Sequence, residues 1–515
     1  MKVHHLFFLG LAVVIAGTNT RAQGANPCAS YTDPVSSELR QGSFDGTHCT
    51  YDPTFVGAAN PLRVSITIPF IAGVHIFEDS LFVGEDVSTG VAPAGGSGPT
   101  LTIEAGNKLA FGDATDYILI NRGSTIIAEG TLDAPITLTA IQDAVDGTAG
   151  AEDVQLWGGL VINGNGITNN CTEAERQGNQ CHVLAEGQPS HYGGNDNSES
   201  SGVLRYVVVK HPGFEVAPGN ELNGITFNAV GAGTTVENIE VYSTFDDGVE
   251  FFGGAVSVTN LIALYVKDDS IDFSDGWVGT IRNALVIQSQ TDGNRCVEGD
   301  NIGEERSNNL EPLDATPRTS PTIRNLTCIT GNLAAVTHGD SEGVLLRQGA
   351  QAQIIDSIVY SGYGTVANGT GSNECFEIES PVSLSDAAAG ASTLVNTVIA
   401  CEEPTSGTFA NGDSLSEWVL AANPSTNGAA YIFNSGNILI TEPTNAAVTL
   451  FEPGTFYTAQ TLTDEAGAPI TIVPQGAQLG AVTSATDWTA GWSFGLSADN
   501  QSQPLWFSGA PTEPL

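Results

Sequence analysis

The sequence predicts an all-β chain wound as a single-stranded parallel solenoid, and three observations carry that prediction. A strand-like motif returns every 22 to 24 residues: Asn223-Gly-Ile-Thr-Phe227, Asp247-Gly-Val-Glu-Phe251 and Asp269-Ser-Ile-Asp-Phe273, with apolar residues two apart. A second frame sets an amide between apolar residues in Val236-Glu-Asn238-Ile-Glu-Val241, Val258-Thr-Asn260-Leu-Ile-Ala263 and Ile281-Arg-Asn283-Ala-Leu-Val286. It continues at Asn325, Asp356 and Asn396 with wider spacings that leave room for loops. Short strand-like runs from Leu101 onward also end in Gly or Asn, the residues that turn a chain through positive φ. Such a period fits one coil of a solenoid, in which each repeat buries its apolar face against its neighbours. Amides so placed are costly to bury unless paired, and coils stacked about 4.8 Å apart would pair them in an internal column.

Residues 1–22 have an apolar run from Leu6 to Gly17 and small residues before Gln23, which predicts a cleaved secretion signal. Cys28 does not directly follow the apolar run, which argues against a lipid anchor, and no later segment has the length of a membrane helix. Removing the signal leaves 14 basic residues against 58 acidic ones, a net charge of −44. Such a surface repels nucleic acid and attracts cations or basic partners. All eight Cys follow the signal, as suits an oxidising compartment. Among the connectivities open to them, neighbours are favoured: Cys28 with Cys49, Cys171 with Cys181, Cys296 with Cys328 and Cys375 with Cys401. None has the spacing of a zinc site.

Residues 23–95 read as an irregular N-terminal cap, 96–400 as the β-helix, and 401–515 as weaker coils with a C-terminal cap. The polar stretch from Asn165 to Ser201 reads as a disulfide-clipped loop standing off one face, with His182 and His191 as surface histidines. Arg205 is assigned the frame position that Asn fills later. Further insertions are expected at Gly299 to Arg318 and Tyr363 to Cys375. Asp413-Ser-Leu-Ser-Glu417 predicts a short capped helix, and Trp488, Trp492 and Trp506 are expected to cover the last coil, with sugar binding the alternative.

The repeated amides resemble the asparagine ladder of right-handed parallel β-helices of the pectate-lyase-like class. LTIEAG at Leu101, INRGS at Ile120, WGGLVING at Trp157, SGVLRYV at Ser201, DDGVEFFGG at Asp246 and DWTAGW at Asp487 resemble, in that order, motifs of a group of secreted bacterial proteins. The resemblance spans most of the chain and implies the right-handed single-stranded parallel β-helix. It adds little about activity.

Chemistry is expected where the repeats carry acids. With Val249 and Phe251 facing the core, Glu250 points outward, the next coil sets Asp272 beside it, and Glu298 is a third member. Asp246 and Asp247 stack beside Asp268 and Asp269, with Asp275 one turn on. Two carboxylates about 4.8 Å apart repel by about 3.5 kcal/mol at an effective dielectric near 20. Calcium, which takes six to eight oxygen ligands in irregular geometry, would relieve this. The readings are therefore a secreted, non-catalytic protein that binds a glycan or surface partner through calcium on this face, or a polysaccharide lyase or glycoside hydrolase. Family resemblance would give a lyase Lys267 or Arg295 as base, and a hydrolase paired aspartates. The Gly-His-Gly and Arg-Ile-Lys signatures of pectin hydrolases are absent, and His338-Gly-Asp340 is a faint echo. No nucleophile elbow, phosphate loop or zinc motif is present.

Overall fold

The computed structural model describes residues 26–289, 292–330, 341–361, 374–401, 403–440, 478–482 and 487–496. The signal segment, His338-Gly-Asp340, nearly all of the insertion at 363–375, and Trp506 lie outside these residues. What they show is the expected parallel β-helix. Each coil contributes one strand to a nine-stranded parallel sheet, face A, which runs from Leu81–Val83 through Ile225–Asn228, Val249–Phe252, Ile271–Ser274 and Arg295–Gly299 to Phe376–Ile378. In the central coils the rest is a longer strand bent at one residue, as in Ser257–Leu264, whose two halves lie on faces B and C; in the flanking coils the two halves are separate strands, as in Thr125–Glu129 and Ile136–Ala140.

The bend explains the repeated amide. Asn238, Asn260, Asn283, Asn325, Asp356 and Asn396 have φ between +50° and +63°, the left-handed region that Asn and Asp enter at least cost. Asn260 donates from Nδ2 to Asn238 Oδ1, and Asn283 to Asn260 Oδ1, each at 2.8 Å. The column is therefore real, and it is internal only at Asn325 and Asp356, which are buried. Asn238, Asn260, Asn283 and Asn396 are half-buried at an outer corner, while flanking Val236 and Ile239 belong to the core. The frame position in the preceding coil is also shifted by one residue. Arg205 pairs with Glu237, which leaves Tyr206, at φ +50°, opposite Asn238.

Inside, like stacks on like. Phe77 lies on Phe111 and Phe111 on Trp157, with ring centroids 5.5 and 4.9 Å apart, and Phe227 lies on Phe251 at 5.3 Å and Phe251 on Trp277 at 4.1 Å. Offset ring stacking at these distances adds to what burial alone contributes. All four neighbouring cysteine pairs form disulfides.

The ends keep one expectation, the capped helix, and depart from others. Parallel pairing begins before residue 96, since Cys49–Tyr51 pairs with His75–Phe77, and Ile66–Ile68 with Leu101–Ile103. At the other end the capping-box helix forms at Leu415–Val419, and its Trp418, stacked on Phe376, is the tryptophan buried at the late coils. Trp488 and Trp492 do not cover the last coil. Their segment lies along the outside of face C as a strap, with Gly480 N–H on Asp356 O at 2.8 Å, Trp492 against Tyr206, and Phe494 N–H on Glu240 Oε2 at 2.6 Å. Face C there is apolar outward as well as inward: Val208, Ile262, Leu264, Leu285 and Ile287 pack under the strap. Trp492 is 1% exposed, so it packs rather than offering a ring to a sugar.

The corner bonds give a direct test. Asn260→Ala removes both ladder bonds and puts a less tolerant residue in the left-handed region, and is expected to cost about 2 kcal/mol. Asn260→Gly, which tolerates the conformation, should recover part of the loss in thermal unfolding.

Candidate metal centre

The acids gather where each coil passes from face C to face A. Register alone sets Glu250 beside Asp272 and Asp272 beside Glu298. Val249, Phe251, Ile271 and Phe273 turn inward, so the carboxylates between them turn out. The corner acids lock to one another's backbone: Asp269 N–H donates to Asp247 Oδ1 at 3.0 Å, and Arg295 N–H to Asp269 Oδ1 at 2.8 Å. Asn294 Nδ2 donates to Asp268 Oδ1 at 2.9 Å. Three overlapping triads result, each with its ligand atoms within 4.8 Å of one another: Asp246, Asp247 and Asp268; Asp247, Glu250 and Asp272; Asp269, Asp272 and Glu298.

The acids are not a solvated fringe. Asp247, Glu250, Asp269 and Glu298 are buried, and Asp246, Asp268 and Asp272 are half-buried. Part of the cover is the insertion after Asn165, which lies down on face A instead of standing off it. Its Ala185 and Tyr192 pack on Ala229, with Phe252 against them, and Arg122 Nη1 donates to its Cys181 and Gly193 carbonyls. His182 and His191 are spent on internal partners, Arg122 and Asp86.

Positive charge at the site is sparse. Arg295 bonds Glu298 at 2.7 Å and Glu342 at 3.0 Å, and Arg347 bonds Glu298 and Asp300. Lys267 is directed elsewhere, to Glu152 at 2.5 Å. Burial first, and then mutual repulsion, push Asp246, Asp247, Glu250, Asp269 and Asp272 well above the usual carboxylate range. Glu186 of the insertion, whose side chain meets Glu250, is pushed up to about 8 by burial and by Glu221.

Seven of the eight acids foreseen in sequence are brought together, and Asp275 is not. It sits at the far end of its strand, bonded to Arg306 at 2.9 Å and to Asn170, where the insertions after Asn165 and Gly299 meet. Beyond Glu342, Arg347 and Asp300, two further neighbours of the acids lie outside the sequence expectations. Glu186 lies in a non-repeating segment and carries no periodic signal. Asn223, whose Nδ2 donates to Glu250 Oε2, occupies the Asp247 position one coil earlier, so the repeat alone could have found it.

Fold and site together define a parallel β-helix with a buried acidic column on one face. The comparison with family models agrees: the pectate-lyase-like beta helix domain matches residues 94–430. The chain belongs to that family, and is a polysaccharide-related β-helix protein. Comparisons with curated proteins and with solved structures return no match. Among the described residues no helix is long and apolar enough to cross a membrane.

The raised carboxyls predict a pH dependence. In the unfolded chain these groups ionise near pH 4, whereas in the fold they hold their protons to higher pH. In cation-free buffer the folded state therefore binds more protons, and its stability should fall as pH rises from about 4 through about 8, the range that Glu186 bounds. Melting temperatures measured across that range with chelator present should decline, and Glu250→Gln with Asp272→Asn should flatten the decline.

Proposed function

We propose that this is a secreted, non-catalytic glycan-binding protein whose acidic column holds calcium, with the cation bridging the protein to an acidic glycan. The observation that carries the reading is the set of overlapping triads, whose ligand atoms lie within 4.8 Å of one another while the guanidinium groups of Arg295 and Arg347 are shared among Glu298, Glu342 and Asp300. Close, buried carboxylates without matching countercharge fit a hard cation that accepts irregular oxygen geometry. Asp247, Glu250, Asp269 and Asp272 would be its main ligands, with Asp246, Asp268 and Glu298 at the two ends of the column. A chain of formal net charge −42 meets a polyanionic sugar favourably only where a cation intervenes. Four disulfides and the signal-like N-terminus support a location outside the cytoplasm.

A lyase needs a free base beside the cation. Lys267 is committed to Glu152. Arg295 is bonded on both sides by carboxylates that hold its guanidinium protonated more firmly than usual. The binding reading is therefore favoured over cleavage.

Calcium added to chelator-treated protein at about 100 times its dissociation constant should raise stability by about 2.7 kcal/mol, seen as a rise in melting temperature. Asp247→Asn with Asp272→Asn should abolish the rise. A panel of acidic and neutral polysaccharides should show calcium-dependent retention of acidic ones without unsaturated products or new reducing ends. No calcium shift removes the metal, and new ends replace binding with catalysis.

A further inference from the structure

Away from the acidic column, beneath the strap, a lysine and an aspartate pair in a nearly dry site, with a buried glutamate on the adjacent strand under the same Phe494. Lys210 ends the strand Gly202–Lys210 on face C, and Asp143 lies in the short helix Ile141–Ala144 that follows the neighbouring strand Ile136–Ala140. Lys210 Nζ lies 2.8 Å from both Asp143 oxygens, with side-chain exposures of 5% and 15%. The Phe494 ring covers the amine, its centroid 3.7 Å from Nζ. Thr139 Oγ1 donates to Asp143 Oδ2 at 2.8 Å and fixes the carboxyl. His211 Nε2 is 3.9 Å from Asp143 Oδ1, and the His211 ring is held neutral by burial. On the adjacent strand Glu240, opposite Val208, is fully buried. Its Oε2 accepts the Phe494 N–H, and its Oε1 meets no partner among the described residues.

We propose that Lys210 and Asp143 are the two halves of an intramolecular isopeptide bond, formed by the protein on itself, with Glu240 as the acid that relays the proton. A desolvated amine is a nucleophile, and one held by both oxygens of a carboxyl lies beside the carbon it would attack. Burial lowers the Lys210 ammonium from its ordinary range and raises the Glu240 carboxyl, while Asp143, whose burial is outweighed by Lys210 beside it, is held below the usual carboxylate range and takes the proton only transiently. One proton passes from the ammonium to the Asp143 carboxylate, giving an amine and a carboxylic acid. The Nζ lone pair bonds to Cγ, the C–O bond to the hydroxyl breaks, and that hydroxyl leaves as water with a proton from Nζ. Glu240 hands this proton on and ends protonated, as it began. Nothing is oxidised or reduced, and a neutral amide replaces a buried ion pair that is costly to desolvate.

Intact-mass measurement of the mature, disulfide-bonded protein tests this directly. The chain should weigh one water less than its sequence and four disulfides require, and a digest should yield one branched peptide joining the segments around Asp143 and Lys210. Because Asp-Gly steps such as Asp146-Gly147 also lose water by cyclising, the branched peptide decides the matter. Lys210→Arg, which keeps the charge, should restore the full mass. Glu240→Gln should melt as a folded protein yet carry the full mass, with Glu240→Asp regaining part of the link. Wild-type protein of full mass, with residues 143 and 210 on separate linear peptides, overturns the proposal. A linked Glu240→Gln protein overturns the relay.

Discussion

Stacking of successive coils about 4.8 Å apart is the constraint on which the rest of this molecule depends. It sets every residue directly over its counterpart in the next coil, so the repeat decides whether that proximity stabilises or strains. Amides gain from it, as Asn260 does between Asn238 and Asn283. Aromatic rings gain as well, as along Phe227, Phe251 and Trp277. Carboxylates lose, and the column from Asp246 to Glu298 is where the loss concentrates. A local conflict kept inside an otherwise consistent repeat is where function is best sought.

Much of the winding was legible because its signals are periodic. Core residues two apart, a repeat near 22 residues and turn residues between strands all survive in the structure. The corner was misread in its cause. Apolar neighbours point to an internal hydrogen-bonding amide, and the hydrogen bonds form, but the backbone also selects Asn for its tolerance of positive φ; hence Tyr206 holds the same conformation with no amide, one residue on from Arg205. Segments without a period were harder to place. The helix Pro381–Ala389 is bounded by Ser380, Pro381 at its first position and Gly390 in the left-handed region, all readable punctuation that went unread in a strand-rich chain.

At the acidic face, register was readable and depth was not. Pairing of Glu250 with Asp272 and Glu298 follows from spacing alone. Whether such acids are wetted or enclosed depends on where the insertion after Asn165 lies, and an insertion has no neighbour in the repeat to fix its position. Asp275 shows the complementary error: close in sequence to the acids, it is carried past them by one strand and recruited by Arg306.

The strap on face C changes what kind of object the solenoid is. Coils that touch only adjacent coils can fray from an end, one after another, because each boundary fails on its own terms. A segment that bonds Asp356 and Thr327 at one end, and rests on Tyr242 and Tyr206 at the other, spans several boundaries at once. Pulling on a late coil would then load the middle of the stack as well, so the bound part of the helix behaves less like a zipper than like a bundle with a binding tied around it.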